Sequence, residues 1–432
     1  MLAAEDVLST LARMQPVGAS ELAAALGTSR PTVSRFLQGL GDRVCQMGRT
    51  RGTRYVLTRA LEGLGSRLPL WRITEAGRAE SLGELHLLAT GDHWLQREHA
   101  PAILFEGIPP FVVDMSPQGY LGRTFALRHP ELSLPEHLQR WTDDQRLLAL
   151  ARRGEDCVGN LVLGRESLDR WLQDEVRPVQ RESYPKLATG SAQNPEGSSA
   201  GGEQPKFLAF VEGRHVLVKF VGGDGAAADR RRDLLVCEHL ALEHLREAGV
   251  DAARSRWFDL GGFRFLEVER FDRVGLRGRR GLLSLAALDA YVGAGRGWRA
   301  VARGLREQGW LDAGQEQRVR WLDVFGQLTG NTDRHLGNLS LFAEVDATPL
   351  QVAPCYDMLP MLFAPHDLQV VERDFKPEPP TSETLDVWST AAAQASAYWE
   401  RLAASPHLGD ALRARAEHCG AQLAQLRARV AL

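Results

Sequence analysis

The run GNTDRHLGNLSLF, from Gly330 to Phe342, sets Asp333, Arg334, His335 and Asn338 close together and then turns apolar. A carboxylate followed five positions later by a carboxamide suits phosphoryl transfer. The acid can take the proton of an attacking hydroxyl, and the amide oxygen can help to hold Mg²⁺. Asp357 follows an apolar approach through Val352 and Ala353 and a short turn, which suits a second oxygen ligand for the same metal. Any one of these residues could equally be a cap or a surface-turn residue.

Two further features fit the same chemistry. Lys219 ends the apolar stretch HVLVK, and Glu238 lies nineteen residues on, in a helical pattern that could bring it back to the lysine. A Lys–Glu pair that aims an ammonium at the α- and β-phosphates of ATP is the kinase arrangement, and the interval from Asp333 to Asn338 matches the kinase loop HRDxxxxN. The stretch SSAGGEQPK, Ser198 to Lys206, holds Ser199, Gly201 and Gly202 just before a strand. Backbone N–H groups of such a turn can approach phosphate oxygens without side-chain obstruction. The turn is not a P-loop, because GxxxxGK[ST] is absent.

The elements that must carry these residues can be read from periodicity. Residues 184–206 are rich in Gly, Ser, Pro and Asn and lead into two strands around the turn Glu212-Gly213. A helix, another pair of strands over about 256–271, and mostly helical patterns from Leu282 onward follow. The expectation is an α+β chain with a β-rich half, residues 105–270, and an all-helical half, residues 271–432. Residues 61–104 are expected as a linker or bridge, and Leu104–Arg123 as short strands between Pro and Gly turns.

Residues 1–60 form a separate pattern. Val7, Leu11 and Met14 stripe a first helix, Ser20 can cap a second, and Ser29-Arg30-Pro31 opens a third. Val33, Phe36, Leu37 and Leu40 face inward on that third helix, which leaves Ser29, Arg30, Thr32, Ser34 and Arg35 outward. A strand, a basic turn with Arg49 and Arg51, and a strand starting near Arg54 complete the order of a winged helix-turn-helix. From Arg30 to Arg59 there are seven arginines and one acid, within a chain of net charge −3. That local excess suits DNA: the helix face can reach base edges and the wing arginines phosphate. A packing module with a solvated charged face is the bland alternative.

At 432 residues the chain is long enough for two or three domains, and 44% apolar residues suffice for a sizeable core. No apolar run is long enough to span a membrane, and the N-terminus lacks a secretory pattern. Five scattered cysteines without a CxxC pair argue against a disulfide framework or zinc site and fit a reducing cytoplasm. Arg277, Arg279 and Arg280 read as a solvated turn, and His335 as a hydrogen-bonding brace of its loop rather than a metal ligand.

From about residue 105 to 430 the chain resembles the HipA-type serine/threonine kinases, the toxin halves of bacterial toxin–antitoxin pairs. The resemblance rests on SSAGGEQPK, LVKF, CEHLAL, EVERFDR, NTDRHLGN and YDMLP. It implies a two-lobed fold with ATP between the lobes. Asp333 would be the catalytic base, and Asn338 and Asp357 the Mg²⁺ ligands. Lys219, supported by Glu238, would hold the ATP phosphates beside the Gly-rich loop and His335, and the backbone from Glu269 to Phe271 would meet adenine. Ser199 is the position that matches the family's autophosphorylated loop serine. A translation factor such as an aminoacyl-tRNA synthetase is the substrate class implied. The family's DNA-binding partner is usually a separate antitoxin chain; here the DNA-binding unit is expected to be fused, as in the stand-alone branch, so neither toxicity nor a need for an antitoxin follows from the resemblance. Two other readings use the same residues: a transcription regulator whose kinase-like part senses nucleotide, and a Mg²⁺-dependent nuclease. The nuclease leaves Lys219, Glu238 and the Gly-rich loop without a role.

Overall fold

The computed structural model describes residues 2–49, 52–192, 204–295, 297–343, 349–366 and 368–430. The chain divides into two compact units, one of residues 1–74, 78–117 and 129–174 and the other of residues 75–77, 118–128 and 175–432.

The first unit begins with helices α1 (Ala4–Met14), α2 (Ala19–Ala25) and α3 (Arg30–Gly39) and the hairpin β1 (Val44–Met47) and β2 (Arg54–Leu57). Val7, Leu11, Leu22, Val33 and Leu37 form its small core. Ser29 caps α3 by accepting the Thr32 N–H at 3.3 Å. Ser20 does not cap α2: the cap is Gly18, whose N–H meets the Glu21 carboxylate at 3.0 Å. A side chain from the third position of the helix does the work that a cap hydroxyl was expected to do.

Residues 61–104 are not a linker. They form β3 (Arg67–Ile73), β4 (Ala79–Leu87), β5 (His93–Arg97) and the start of β6 (Ile103–Phe105), in a sheet of order β6-β5-β4-β3-β7. The sheet continues the wing, because Arg59 N–H bonds Leu87 C=O and Ala89 N–H bonds Leu57 C=O. A β-bulge between Leu70 and Trp71 breaks the alternation of β3. At Gly83 a Cβ would stand 1.9 Å from the Gln96 carbonyl, so only glycine lets β4 and β5 approach there. The expected strands of Leu104–Arg123 reduce to the three residues of β6, followed by helices α4 (Pro110–Met115) and α5 (Gly119–Arg128). The first unit closes with α6 (Asp143–Arg153), β7 (Leu161–Leu163) and α7 (Arg165–Gln173).

The second unit holds α5, α8 (Tyr184–Ala192) and an antiparallel sheet of order β10-β11-β9-β8. Its strands are β8 (Lys206–Val211), β9 (Arg214–Val221), β10 (Ser255–Leu260) and β11 (Phe263–Glu269). Tyr184 and Ala188 of α8 pack on Phe207, Val218 and Phe265, on one face of the sheet. The long helix α9 (Ala226–Glu247) buries Leu234, Leu235, Ala241 and Leu242 in the main core. That core continues into α10 (Leu285–Val292), α11 (Gly297–Glu307), α12 (Ala313–Leu328), α13 (Leu385–Ala403) and α14 (Asp410–Val430).

This half is not all-helical as expected. Between the helices lie a ribbon of β12 (Arg273–Val274) with β13 (Gly278–Arg279), and a sheet of β14 (Leu282–Ser284), β15 (Ser340–Phe342) and β16 (Gln351–Val352). Strands of two or three residues are too short to show a period of two. Nor is the arginine turn simply solvated: Arg279 is buried, and Arg280 pairs with Glu75 at 2.9 Å and lies over the Phe342 ring. Among the described residues, no helix is long and apolar enough to cross a membrane.

Candidate functional site

Lys219 lies on the inner strand β9, with Leu266 of β11 and Lys206 of β8 as its cross-strand neighbours. Its side chain is 7% exposed, and that of Glu238, facing it from α9, is 1% exposed. The ammonium donates to both Glu238 oxygens, at 2.7 and 2.6 Å, and to Asp357 Oδ1 at 2.5 Å. Burial works against the lysine charge, but Asp357 and Glu238 outweigh it and hold the proton on Nζ more tightly than usual. Burial pushes the Glu238 carboxyl up, with Lys219 pulling against it. At Asp357 burial also acts upward, but Lys219, then Lys206 and His335, hold the carboxyl below its usual range.

Asp357 has φ +52°, a left-handed conformation uncommon outside glycine, and its side chain is 31% exposed. Strained backbone of this kind persists only where its surroundings fix it.

The loop with Asp333 and Asn338 is held by buried tryptophans just before it begins and at its middle. Trp399 Nε1 donates to Leu328 C=O at the end of α12, and Trp298 Nε1 donates to His335 C=O, both at 2.9 Å. Within the loop, Asn338 Nδ2 donates to the Asp333 carbonyl at 2.8 Å and lies 3.4 Å from Asp333 Oδ2. The five-residue interval thus closes the loop on itself. The amide nitrogen is spent on that closure, which leaves the Asn338 Oδ1 oxygen as an acceptor. His335 Nδ1 accepts the Gly337 N–H at 3.1 Å, the bracing geometry expected of it. The Asp333 carboxylate itself is 51% exposed. Arg334 turns away to Asp323 at 3.0 Å and lies against Gly326, where a Cβ would stand 2.7 Å from its Cδ.

Three residues that sequence reasoning did not single out join these pieces. Asn331 accepts the Asp333 N–H at 3.0 Å and donates to the Asp357 carbonyl at 3.2 Å. Tyr356 Oη donates to Gly337 C=O at 2.7 Å and meets Ser340 Oγ at 2.8 Å. Lys206 is the cross-strand neighbour of Lys219. A signal for Lys206 was available, since it ends the Gly-rich stretch; Asn331 reads in sequence only as a turn residue.

Asp357 and Asn338 carry a carboxylate and an amide oxygen, hard donors of the kind Mg²⁺ takes, and the fixed Lys219 ammonium lies beside Asp357. At the expected adenine contact, Glu269 N–H bonds Arg254 C=O at 2.8 Å and Arg270 N–H bonds His215 C=O at 2.9 Å. The Phe271 ring packs on Phe342 and Tyr356 at 6.0 and 5.7 Å. A cavity of about 500 Å³ opens beside Glu269, Phe271, Phe342 and Arg318; Lys219, Glu238, Asp333, Asn338 and Asp357 do not line it. Ser199, Gly201 and Gly202 lie outside the described residues. The stretch they belong to ends against β9, where Gln204 Nε2 donates to Phe220 C=O at 2.5 Å.

On the helix-turn-helix, Ser29, Arg30 and Arg35 are exposed and Thr32 and Ser34 half-buried. Ser29 and Thr32 are occupied by the cap, their hydroxyls 2.9 Å apart. Arg49 is exposed at the wing, and Arg51 lies outside the described residues. Arg54 pairs with Glu21 at 3.1 Å, both about half exposed, an ion pair of small energetic weight.

Comparison with known proteins agrees with this division. Residues 4–43 match the IclR helix-turn-helix domain, residues 64–172 the YjjJ-like toxin middle domain, and residues 198–429 the HipA-like C-terminal domain. The chain is 32% identical over 441 aligned residues to Toxin YjjJ of Escherichia coli (strain K12), covering 98% of each. Its fold is similar to that of HipA in the Shewanella oneidensis MR-1 complex of HipA, HipB and operator DNA. That likeness has a TM-score of 0.58 at 16% identity and covers 83% of this chain and 96% of that one. With a domain match over more than half its length and a full-length relative of this similarity, the chain belongs to the HipA-like family and carries an IclR-type helix-turn-helix at its N-terminus.

Proposed function

We propose that the protein is an ATP- and Mg²⁺-dependent protein serine/threonine kinase that also modifies itself and is tethered to DNA by its winged helix. The observation that carries the reading is the buried Lys219 ammonium, fixed by Glu238 and Asp357, with Asn331 hydrogen-bonded both to the Asp357 carbonyl and to the Asp333 N–H. Asp357 and the Asn338 amide oxygen would hold Mg²⁺, which would supply positive charge to offset that of the phosphates. Lys219, kept in place by Glu238, points its charge at the nucleotide phosphates. The half-exposed Asp333 accepts the proton of a serine or threonine hydroxyl as its oxygen bonds to the γ-phosphorus. The bond to the β-phosphate oxygen breaks, and ADP carries that electron pair away. Ser199 is the residue assigned to self-modification, and the backbone from Glu269 to Phe271 the adenine contact. The name of the Escherichia coli relative adds the expectation that unrestrained expression slows growth.

Asp333→Asn keeps the shape of the loop and removes the base. Transfer of labelled phosphate from ATP should fall about 10²–10⁴-fold; equal incorporation by wild type and variant would reject the role. The exposed Arg30 and Arg35 of α3 favour one other reading, a nucleotide-sensing transcription regulator. Promoter binding that ATP alters without any phosphate incorporation would select it.

A further inference from the structure

Asp333 and Asp357 lie on different loops and make no direct hydrogen bond with each other among the described residues. On the Asp333 loop, two residues before that aspartate, lies Asn331, only 1% exposed. Its backbone N–H bonds the Gly326 carbonyl of α12 at 2.8 Å, and its carbonyl accepts from the Arg334 guanidinium. With the main chain fixed on both sides, the carboxamide has little freedom left. Its oxygen takes the Asp333 N–H at 3.0 Å, and its nitrogen reaches the carbonyl of Asp357 at 3.2 Å.

The second bond falls on the one residue of that loop whose backbone is strained. A left-handed residue other than glycine is strained and relaxes unless it is held. The carbonyl that Asn331 grips belongs to this residue, so the grip bears on which way the Asp357 carboxylate points, and hence on its contact with Lys219.

We propose that Asn331 is the positioning residue that sets Asp333 and Asp357 in register for transfer, acting as acceptor to one loop and donor to the other. The proposal rests on the phosphoryl-transfer reading above. Only a carboxamide of this length can act in both ways. Aspartate keeps the acceptor and loses the donor, serine is too short, and glutamine is one methylene too long. Tyr356 is a second strut, and it holds the far end of the loop, at Gly337 and Ser340.

The two halves of the amide can be separated in the full-length chain with Asn331→Asp and Asn331→Ala. Three quantities are read: Mn²⁺ affinity in the presence of ADP by electron paramagnetic resonance, exchange of the Asp333 amide hydrogen without ligand, and kcat and KM for ATP. Asn331→Asp should weaken Mn²⁺ binding roughly 10- to 100-fold, the usual cost of losing a residue that orients a metal ligand. It should lower kcat with little change in KM for ATP and leave the Asp333 amide as protected as in wild type. Asn331→Ala should weaken Mn²⁺ binding likewise and also speed exchange of that amide about tenfold or more, since an unmade buried bond costs roughly 1–3 kcal/mol. Wild-type Mn²⁺ affinity in Asn331→Asp overturns the proposal. If Asn331→Asp does not fold, Asn331→Ala decides alone, and either quantity remaining at the wild-type value overturns it. Failure of the kinase reading looks different: wild type itself then binds no Mn²⁺–ADP and incorporates no phosphate.

Discussion

The helix-turn-helix and the Lys219 cluster both depend on charged side chains, yet they are built in opposite ways. At α3 the five residues of the polar face fall within seven consecutive positions, Ser29 to Arg35; Arg30 and Arg35 are exposed, and the apolar stripe of Val33 and Leu37 is buried behind them. Around Lys219 the charges come from β9, α9 and the loop at Asp357, 138 residues away; Lys219 and Glu238 are buried and Asp357 is partly so. On the surface, the charges open to a partner and the residues that hold the fold are different side chains. In the interior the same side chains would serve both, because a buried charge must be compensated whether or not a ligand is present.

The comparison can be broken most sharply at Lys219. Lys219→Met leaves the Glu238 and Asp357 carboxylates facing each other without a cation, and breaking such a buried set typically costs about 3–5 kcal/mol. Denaturant unfolding should show a loss of this size together with loss of nucleotide binding. Unchanged stability would mean that the charges are not compensating one another. Arg35→Ala should do the reverse. DNA affinity should fall by about 1–3 kcal/mol if the side chain reads a base, while stability stays within roughly 0.5 kcal/mol of wild type. A fluorescence titration with operator DNA beside a thermal melt checks both.

The smallest effect expected is on pH dependence. His93 of β5 is fully buried; burial pulls its pKa down, the bond to Gly107 C=O and the charges of Asp143 and Asp144 act against this, and Arg59 adds to it. With the folded pKa depressed, its contribution to stability is present above about pH 6.5 and is lost as pH falls through the folded value. Between those two values the slope is about 1.4 kcal/mol per pH unit. Calorimetric melts at pH 7.5 and 5.5 should show a drop that His93→Gln reduces; an unreduced drop would clear His93 of the effect.

What could be read from the sequence follows the same contrast. The helix-turn-helix was legible because its cap, Ser29, and its stripe, Val33 and Leu37, are local. The loop from Asp333 to Asn338 was legible because its closing bond joins residues five apart. The pair of Lys219 and Glu238 was legible because a strand followed by a helix returns the chain to the same place. The middle sheet was not, because the bulge at Leu70 and Trp71 interrupts the alternation of β3 and its neighbours pair far along the chain. Asn331 was missed because its meaning lies in a bond to Asp357, 26 residues on. A buried amide has no pattern of its own; only the partner reveals what it does.

The most direct test of the central claim is the intact mass of the full-length protein after incubation with ATP and Mg²⁺, read beside Asp333→Asn, with peptide mapping across residues 190–206. The account predicts that wild type gains the mass of one phosphoryl group, mapped to Ser199, and that the variant gains none. An unmodified wild type, or a variant modified to the same extent, would contradict it.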